Sequence, residues 1–325
     1  MNILQMSAPK SGSYWLYTIL EHILEKGGYP KKSFIRQQPV YQHAKDLSLS
    51  FEGQAGVDMM DIEEEGCFYR ISSFCKEIIS DPEEYVRSSG IVWTHSSICS
   101  SSFTVFPLFD KRVCIIRDPR DRALSSAEFA FTPYMQQYYP ASYSSVSDYL
   151  LSEYEQLLEQ WIWYTGNFLL HRAELDIHIV FYERLLLDFE RELQALLDYL
   201  GMTLSLSARQ EISQSVAYST MKHRDPDHLR KGKYGKWVDQ LNASQKRLAV
   251  DKAEYLLRLL NYPLESGKAG AEFATAWTGV GQEQNGTGRI SLPSVPDNMP
   301  ERALRERLEQ MEWPGLFGEN DPGFR

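Results

Sequence analysis

Four short features carry residue types that could do chemistry: two could hold an anion such as phosphate, one is strongly basic and one is a histidine. The first is Pro9-Lys10-Ser11-Gly12-Ser13-Tyr14-Trp15, set between an apolar run and a helical repeat. A turn entering a helix aims several backbone N–H groups at one point, and the helix N-terminus adds partial positive charge. Gly12 lets backbone approach an anion closely, and Lys10 adds a full charge. The order differs from G-x-x-x-x-G-K-[ST], because here the lysine precedes the glycine. A plain strand-to-helix turn with a surface lysine is the alternative. The second stretch is Arg117-Asp118-Pro119-Arg120-Asp121-Arg122-Ala123-Leu124-Ser125. An arginine at a strand end offers a planar fork that suits phosphate oxygens, and Ser125 falls one or two turns into the next helix. Its plain reading is a solvated, mixed-charge helix start. The third, Leu229-Arg230-Lys231-Gly232-Lys233-Tyr234-Gly235-Lys236-Trp237, interleaves basic residues with glycine, and a basic surface loop is its alternative. The fourth is His95, placed after a β-rich run, where an imidazole can act as general base at neutral pH or serve structure alone.

These residues need a frame that brings strand ends together. Ile3, Leu4 and Met6 read as a buried strand, and Leu16, Ile19, Leu20, Ile23 and Leu24 recur at helical spacing until Gly27-Gly28. Ile91 to His95, Arg112 to Ile116 and His178 to Tyr182 are further strands. Helices are expected from near Arg120, over Asp148 to His171, over Glu190 to Leu200 before Gly201, and over Ser244 to Leu260. Strands alternating with helices predict an α/β fold, a mostly parallel sheet flanked by helices, with ligands at the carboxyl ends of its strands. The stretch from about Ser33 to Ser89 shows no clear period and reads as a variable, partly helical insertion. Residues 1–265 form the expected domain. Residues 266–325 read as a Gly/Pro/Ser-rich extension, with a short charged helix over Glu301 to Met311.

The chain has 325 residues and a formal net charge of -10. Its ordinary apolar and aromatic content supports a packed core, and its acidity argues against a nucleic-acid partner. A local cluster of Lys and Arg can still reverse the field in one cleft. No apolar run is long enough for a membrane span, and no targeting segment is visible. Cys67, Cys75, Cys99 and Cys114 form no C-x-x-C pair and read as reduced thiols, so a cytoplasmic location is expected. The sequons at Asn242 and Asn285 then carry little weight.

Taken in this order and in these strand contexts, the four stretches resemble the cytosolic sulfotransferase family from about Asn2 to Leu260. The resemblance implies a fold related to P-loop kinases and a sulfuryl donor, 3′-phosphoadenosine 5′-phosphosulfate (PAPS). Lys10, Ser11, Gly12, Ser13, Tyr14 and Trp15 are similar to the family's P-K-[ST]-G-T-T-W loop, with Lys10 on the bridging oxygen and sulfuryl group and Trp15 stacked on adenine. Thr94-His95 matches the T-H pair whose histidine is the catalytic base. Arg117 and Ser125 match the holders of the 3′-phosphate, and Arg230, Lys231 and Gly232 the R-K-G that closes over it. By the same likeness Ser125 also bonds Lys10 and restrains idle hydrolysis of the donor. Tyr182 of Tyr182-Glu183 lies near the adenine in this likeness, and Tyr218 and Met221 flank the base. No metal is required. The acceptor is a small molecule with a hydroxyl or amine.

The sequence departs from the family at several places. Ser13-Tyr14 stands for Thr-Thr, Trp93 stands where many relatives have lysine, and Gly235-Lys236-Trp237 ends a motif that usually carries Asp or Asn before the tryptophan. The aromatic stretch Phe129, Phe131, Tyr134, Tyr138, Tyr139 and Tyr143 is either packing under a loop or the wall of an acceptor pocket; the latter favours a hydrophobic or aromatic acceptor. A nucleotide or small-molecule kinase of related architecture and a non-catalytic nucleotide-binding protein are the alternatives. His223-Arg224-Asp225 lacks the rest of the protein-kinase set, and a polar loop accounts better than a metal site for His223, Asp225, Asp227 and His228.

Overall fold

A computed structural model describes residues 1–72, 74–140, 142–217, 220, 234–264 and 292–311. Its centre is a seven-stranded sheet in the order β4-β3-β2-β5-β1-β6-β7. The strands are β1 (Ile3–Met6), β2 (Asp58–Glu63), β3 (Gly66–Ile71), β4 (Cys75–Ile78), β5 (Ile91–Thr94), β6 (Lys111–Ile116) and β7 (Ile177–Phe181). The pairs of β1 with β5 and β6, of β6 with β7 and of β2 with β5 are parallel. Strands β1 and β5 are buried at every position. That is why they read as apolar runs rather than alternating ones, interrupted in β1 only by the buried Gln5.

The stretch between Ser33 and Ser89 differs from expectation. It holds two short helices, α2 (Pro39–Ala44) and α3 (Pro82–Ser88), but also β2, β3 and β4, an antiparallel meander that extends the sheet. Burial alternates along β2 and β3 as in any half-covered strand. Polarity does not follow it, because Asp58 points inward. Its carboxylate accepts from the Phe34 and Ile35 N–H groups at 3.0 and 2.8 Å and from Ser33 Oγ at 3.1 Å. A buried carboxylate with those partners is tolerated, but it hides the period of two.

Helices cover both faces. On one side Leu4, Met6 and Val92 meet Trp161, Tyr164 and Phe168 of α7 (Val146–Leu170) and Leu256 and Leu257 of α12 (Ala243–Leu259). On the other, Ile3, Ile91 and Val113 meet Leu16, Ile19 and Leu20 of α1 (Ser13–Lys26) and Leu193, Leu196 and Leu197 of α9 (Phe189–Leu200). Asn242 N-caps α12 in a reciprocal capping box with Gln245, which gives that sequon residue a structural role. Beyond Leu264, a helix over Glu301–Leu308 buries Leu304 and Leu308 in the first of these cores. A Cβ on Gly166 of α7 would come within 2.7 Å of Leu308, so a glycine there admits the close approach. All four cysteines are free thiols.

Candidate active site

The chemistry-bearing residues follow strand ends at one edge of the sheet. Met6 is in register with Thr94, and Ile116 with Phe181. The next residues are Ser7, His95, Arg117 and Tyr182. Four successive parallel strands thus deliver their polar residues to one edge, where open α/β sheets bind ligands.

The turn from β1 to α1 is built around two left-handed residues, Lys10 at φ 68° and Gly12 at φ 101°. Gly12 is the N-cap of α1 and supplies no side-chain cap, so the helix presents its first N–H groups at the turn. Arg122 holds this turn from below. It is fully buried on α5 (Pro119–Ala130), its Nε donates to Pro9 O at 2.7 Å and its Nη1 donates to Leu157 O at 2.8 Å. Burial lowers its pKa to about 10, which leaves it a cation at neutral pH.

Arg117, Tyr182, Gly12 and Trp15 form one cluster. The Arg117 guanidinium lies 4.3 Å from the Tyr182 ring centroid, and its Nη1 donates to Lys10 O at 3.3 Å. Its Nε is buried and has no hydrogen-bond partner among the described residues. A buried donor of that kind is costly unless an anion or water completes it. Trp15 meets Tyr182 edge-on at 5.6 Å and stacks with Phe189 at 6.5 Å, while its indole N–H donates to Val216 O at 2.9 Å.

The neighbour of Tyr182 is a buried carboxyl. Glu183 Oε1 accepts from the Asp118 N–H at 2.8 Å, and Oε2 accepts from the Tyr262 hydroxyl at 3.0 Å. Burial pushes its pKa up to about 7. Asp118 in turn holds Arg120, whose Nε and Nη2 donate to the carboxylate at 2.9 and 2.6 Å.

His95 is fixed on both ring nitrogens. Nδ1 lies 2.9 Å from Ser7 O, and Trp93 Nε1 donates to Nε2 at 3.1 Å. Ser7 Oγ is also 2.6 Å from Ser13 Oγ, which ties the base to the turn. Burial is the main reason that the His95 pKa falls to about 4. At neutral pH the ring is therefore neutral.

The other expected residues are placed as follows. Ser11 and Ser13 are buried in the turn, and Gln5 Nε2 donates to Ser13 O at 2.7 Å. The Tyr14 ring points into the core against Phe51, centroids 4.3 Å apart, so the turn accepts this phenol without crowding the strand edge. Lys10 Nζ sits 3.6 Å from the centroid of Phe129, one helical turn beyond the half-buried Ser125 on α5. Tyr218, Met221, Arg230, Lys231 and Gly232 lie outside the described residues, as do His223, Asp225, Asp227 and His228. The chain is described again just beyond, where the Asp121 carboxylate accepts from the Gly235 and Trp237 N–H groups.

Ser7, Arg122, Asp121 and Glu183 are partners that residue spacing did not single out. Arg122 and Asp121 lie in a stretch already marked as basic and helix-initiating, but nothing in their types says that they point inward. Comparison with known proteins places the fold. Similar solved structures include mouse sulfotransferase SULT7A1 complexed with PAP, at TM-score 0.54 and 18% identity, covering 85% of this chain and 88% of that one. Retinol dehydratase in complex with androsterone and inactive cofactor PAP matches at TM-score 0.53 and 18% identity, over 79% of this chain and 80% of that one. Retinol dehydratase in a complex with retinol and PAP matches at TM-score 0.50 and 19% identity, over 79% and 81%. At such identities the likeness is one of fold. The sequence itself matches the sulfotransferase domain over residues 2–257, and the chain belongs to that family, which makes it a sulfotransferase.

Proposed function

We propose that this sulfotransferase uses PAPS as its donor, releases 3′-phosphoadenosine 5′-phosphate (PAP), and sulfates a hydroxyl or amine of an apolar or aromatic small molecule. The observation that carries the reading is Arg117. Its buried Nε lacks a partner among the described residues, beside a glycine turn whose Gly12 has no room for a side chain. An orphan guanidinium donor and a helix N-terminus with no side-chain cap at one strand edge fit a ligand with two separate phosphate groups. Arg117 and Ser125 would take the 3′-phosphate, and Ser11, Gly12 and Ser13 the 5′-phosphate. Trp15 and Tyr182 would hold the adenine. Three solved structures with this fold hold PAP, which supports PAP as the product released here.

When bound, PAPS supplies a sulfuryl group whose bond to a phosphate oxygen breaks as a bond to the acceptor forms. His95 Nε2 takes the acceptor's proton, since the ring is neutral and its Nδ1–H is committed to Ser7 O. The Lys10 ammonium offsets negative charge on the leaving phosphate oxygen. Phe129, Tyr134, Tyr138 and Phe74 make a run of neighbouring rings leading away from Lys10, with centroids 6.3, 5.4 and 5.1 Å apart in sequence. Such a wall suits an apolar acceptor. Androsterone and retinol, bound in the retinol dehydratase structures, are molecules of that kind.

Thermal melting with PAP, AMP and ATP tests the donor. A ligand at about a hundred times its Kd adds roughly 2.7 kcal/mol to the folded state, a shift of several degrees for a chain of this size. Stabilisation by PAP alone is expected. Stabilisation by ATP alone, or by none of the three, overturns the reading. His95→Ala should lose on the order of a hundredfold or more in turnover while keeping the PAP shift.

A further inference from the structure

We propose that Trp93 caps the catalytic base: its indole N–H holds the one lone pair of His95 Nε2, and the acceptor must displace it before a proton can move. The inference rests on the proposed role of His95 and adds a residue that sets when that role can be exercised.

The hydrogen-bond chemistry leaves one arrangement. A carbonyl oxygen only accepts, so Nδ1, 2.9 Å from Ser7 O, carries the imidazole proton. An indole N–H only donates, so Nε2, 3.1 Å from Trp93 Nε1, presents its lone pair. The tautomer follows from the two partners together. It is the tautomer a base needs, with the reactive lone pair already occupied.

Neither partner is loosely held. Trp93 is 6% exposed and lies in β5 between β1 and β2, opposite Gln5 and Met59. Its ring stacks on Tyr17 at 5.9 Å and on Phe51 at 6.1 Å, and Phe51 rests on Tyr14. His95 is pinned by Ser7 and by the Tyr164 hydroxyl, which donates to His95 O at 2.6 Å. The cap is therefore part of the packed fold and not a chance contact of two surface side chains.

A proton on Nε2 would set one N–H against another. Capping and proton acceptance are thus mutually exclusive. The cations facing the ring, Lys10, Arg122 and Arg70, oppose its protonation in the same direction, after burial itself, while the Ser7 carbonyl favours it. Asp61 partners Arg70, accepting from its Nε at 2.9 Å. A water molecule at the sulfuryl group would find no free base. An acceptor held against the aromatic wall can compete for Nε2 and win. The cap then restrains wasteful hydrolysis of the donor. A lysine in place of Trp93 would donate from a flexible stem and leave the lone pair free part of the time; the packed indole gives it up only when an acceptor bonds Nε2.

The test uses the full chain, ¹⁵N-labelled, and Trp93→Phe, which keeps a ring and removes the donor. In the wild type a scalar coupling across the hydrogen bond should join Trp93 Nε1 to His95 Nε2, and it should be absent in the variant. Hydrolysis of PAPS without any acceptor should rise severalfold in Trp93→Phe, and the His95 titration midpoint should rise by about one pH unit. A wild-type protein with no coupling overturns the proposal without using the variant at all. A coupling with unchanged PAPS hydrolysis in Trp93→Phe overturns the capping role. The coupling needs no substrate, whereas the donor reading fails separately if PAP gives no thermal shift; that result would also refute the role given to Trp93 while leaving its hydrogen bond in place.

Discussion

A Cβ built on Gly12 falls 2.5 Å from Cδ2 of Tyr182. Two residues 170 positions apart in sequence thus share one boundary of the site: the turn after β1 runs against the ring that follows β7. Gly12 also sits at φ 101°, where a side chain is strained whatever the space. Gly12→Ala must push the Tyr182 ring from beneath Arg117 or move the turn. The expected result is loss of the PAP thermal shift, with a lower melting temperature of the free protein. A normal PAP shift in Gly12→Ala would show that the turn does not hold the 5′-phosphate.

Arg122 predicts a defect of a different kind. It touches no expected ligand position and instead joins Pro9 O to Leu157 O, with Nη2 donating to Gln160 Oε1 at 3.3 Å. Arg122→Met removes the donor to Pro9 O and one partner each of Leu157 O and Gln160 Oε1, and an unsatisfied buried acceptor costs about 1–3 kcal/mol. Denaturant unfolding should report a loss of about 1–3 kcal/mol. The PAP affinity of whatever remains folded should fall less than in Gly12→Ala.

Much of this was legible from residue order alone. Strands β5, β6 and β7 follow from apolar, β-branched runs, and His95, Arg117 and Tyr182 come next because each closes such a run. The helices over α7, α9 and α12 follow from the spacing of Leu, Tyr and Ala. Strands β2 to β4 stayed hidden because the inward carboxylate of Asp58 breaks the alternation that would announce β2. Tyr14 and Trp93 could be marked as departures from the family, yet their consequences depend on direction. Tyr14 turns to Phe51 and leaves the turn open, while Trp93 turns its N–H to His95. Only the packed fold decides between those outcomes.

Glu183 should leave a signature in the pH dependence of stability. Burial holds its pKa near 7 in the folded protein, against about 4.3 for a free glutamate. The unfolded chain therefore binds fewer protons than the folded one between these values. The stabilisation is complete below about pH 4 and is lost as pH rises through 7. His95 works in the opposite sense: its folded pKa of about 4 makes stability fall as pH drops from about 6.5. Glu183→Gln should remove only the first slope. Urea unfolding at pH 5, 6, 7 and 8 should show the wild type losing ground to this variant as pH rises. Parallel curves would mean that the carboxyl is ionised throughout.

Asp121 links α5 to the segment that follows Arg230, Lys231 and Gly232. Its two oxygens accept from the Gly235 and Trp237 N–H groups, and Trp237 is buried against Arg120, whose guanidinium carbon lies 3.6 Å from the indole centroid. Asp121→Asn keeps the size but offers one acceptor and one donor, so one backbone N–H meets an NH₂ and both lose a partner. A neutral hydrogen bond of this kind is worth about 1 kcal/mol, and an unsatisfied buried donor costs more. If the Arg230–Gly232 stretch supplies part of the 3′-phosphate clamp, loosening its anchor should weaken PAP roughly tenfold, about 1.4 kcal/mol, and leave AMP binding unchanged because AMP lacks that phosphate. Calorimetric titration of both nucleotides into wild type and Asp121→Asn separates the cases. An equal loss for PAP and AMP would mean that Asp121 supports the fold as a whole, and an unchanged PAP affinity would detach the Gly235–Trp237 anchor from the clamp.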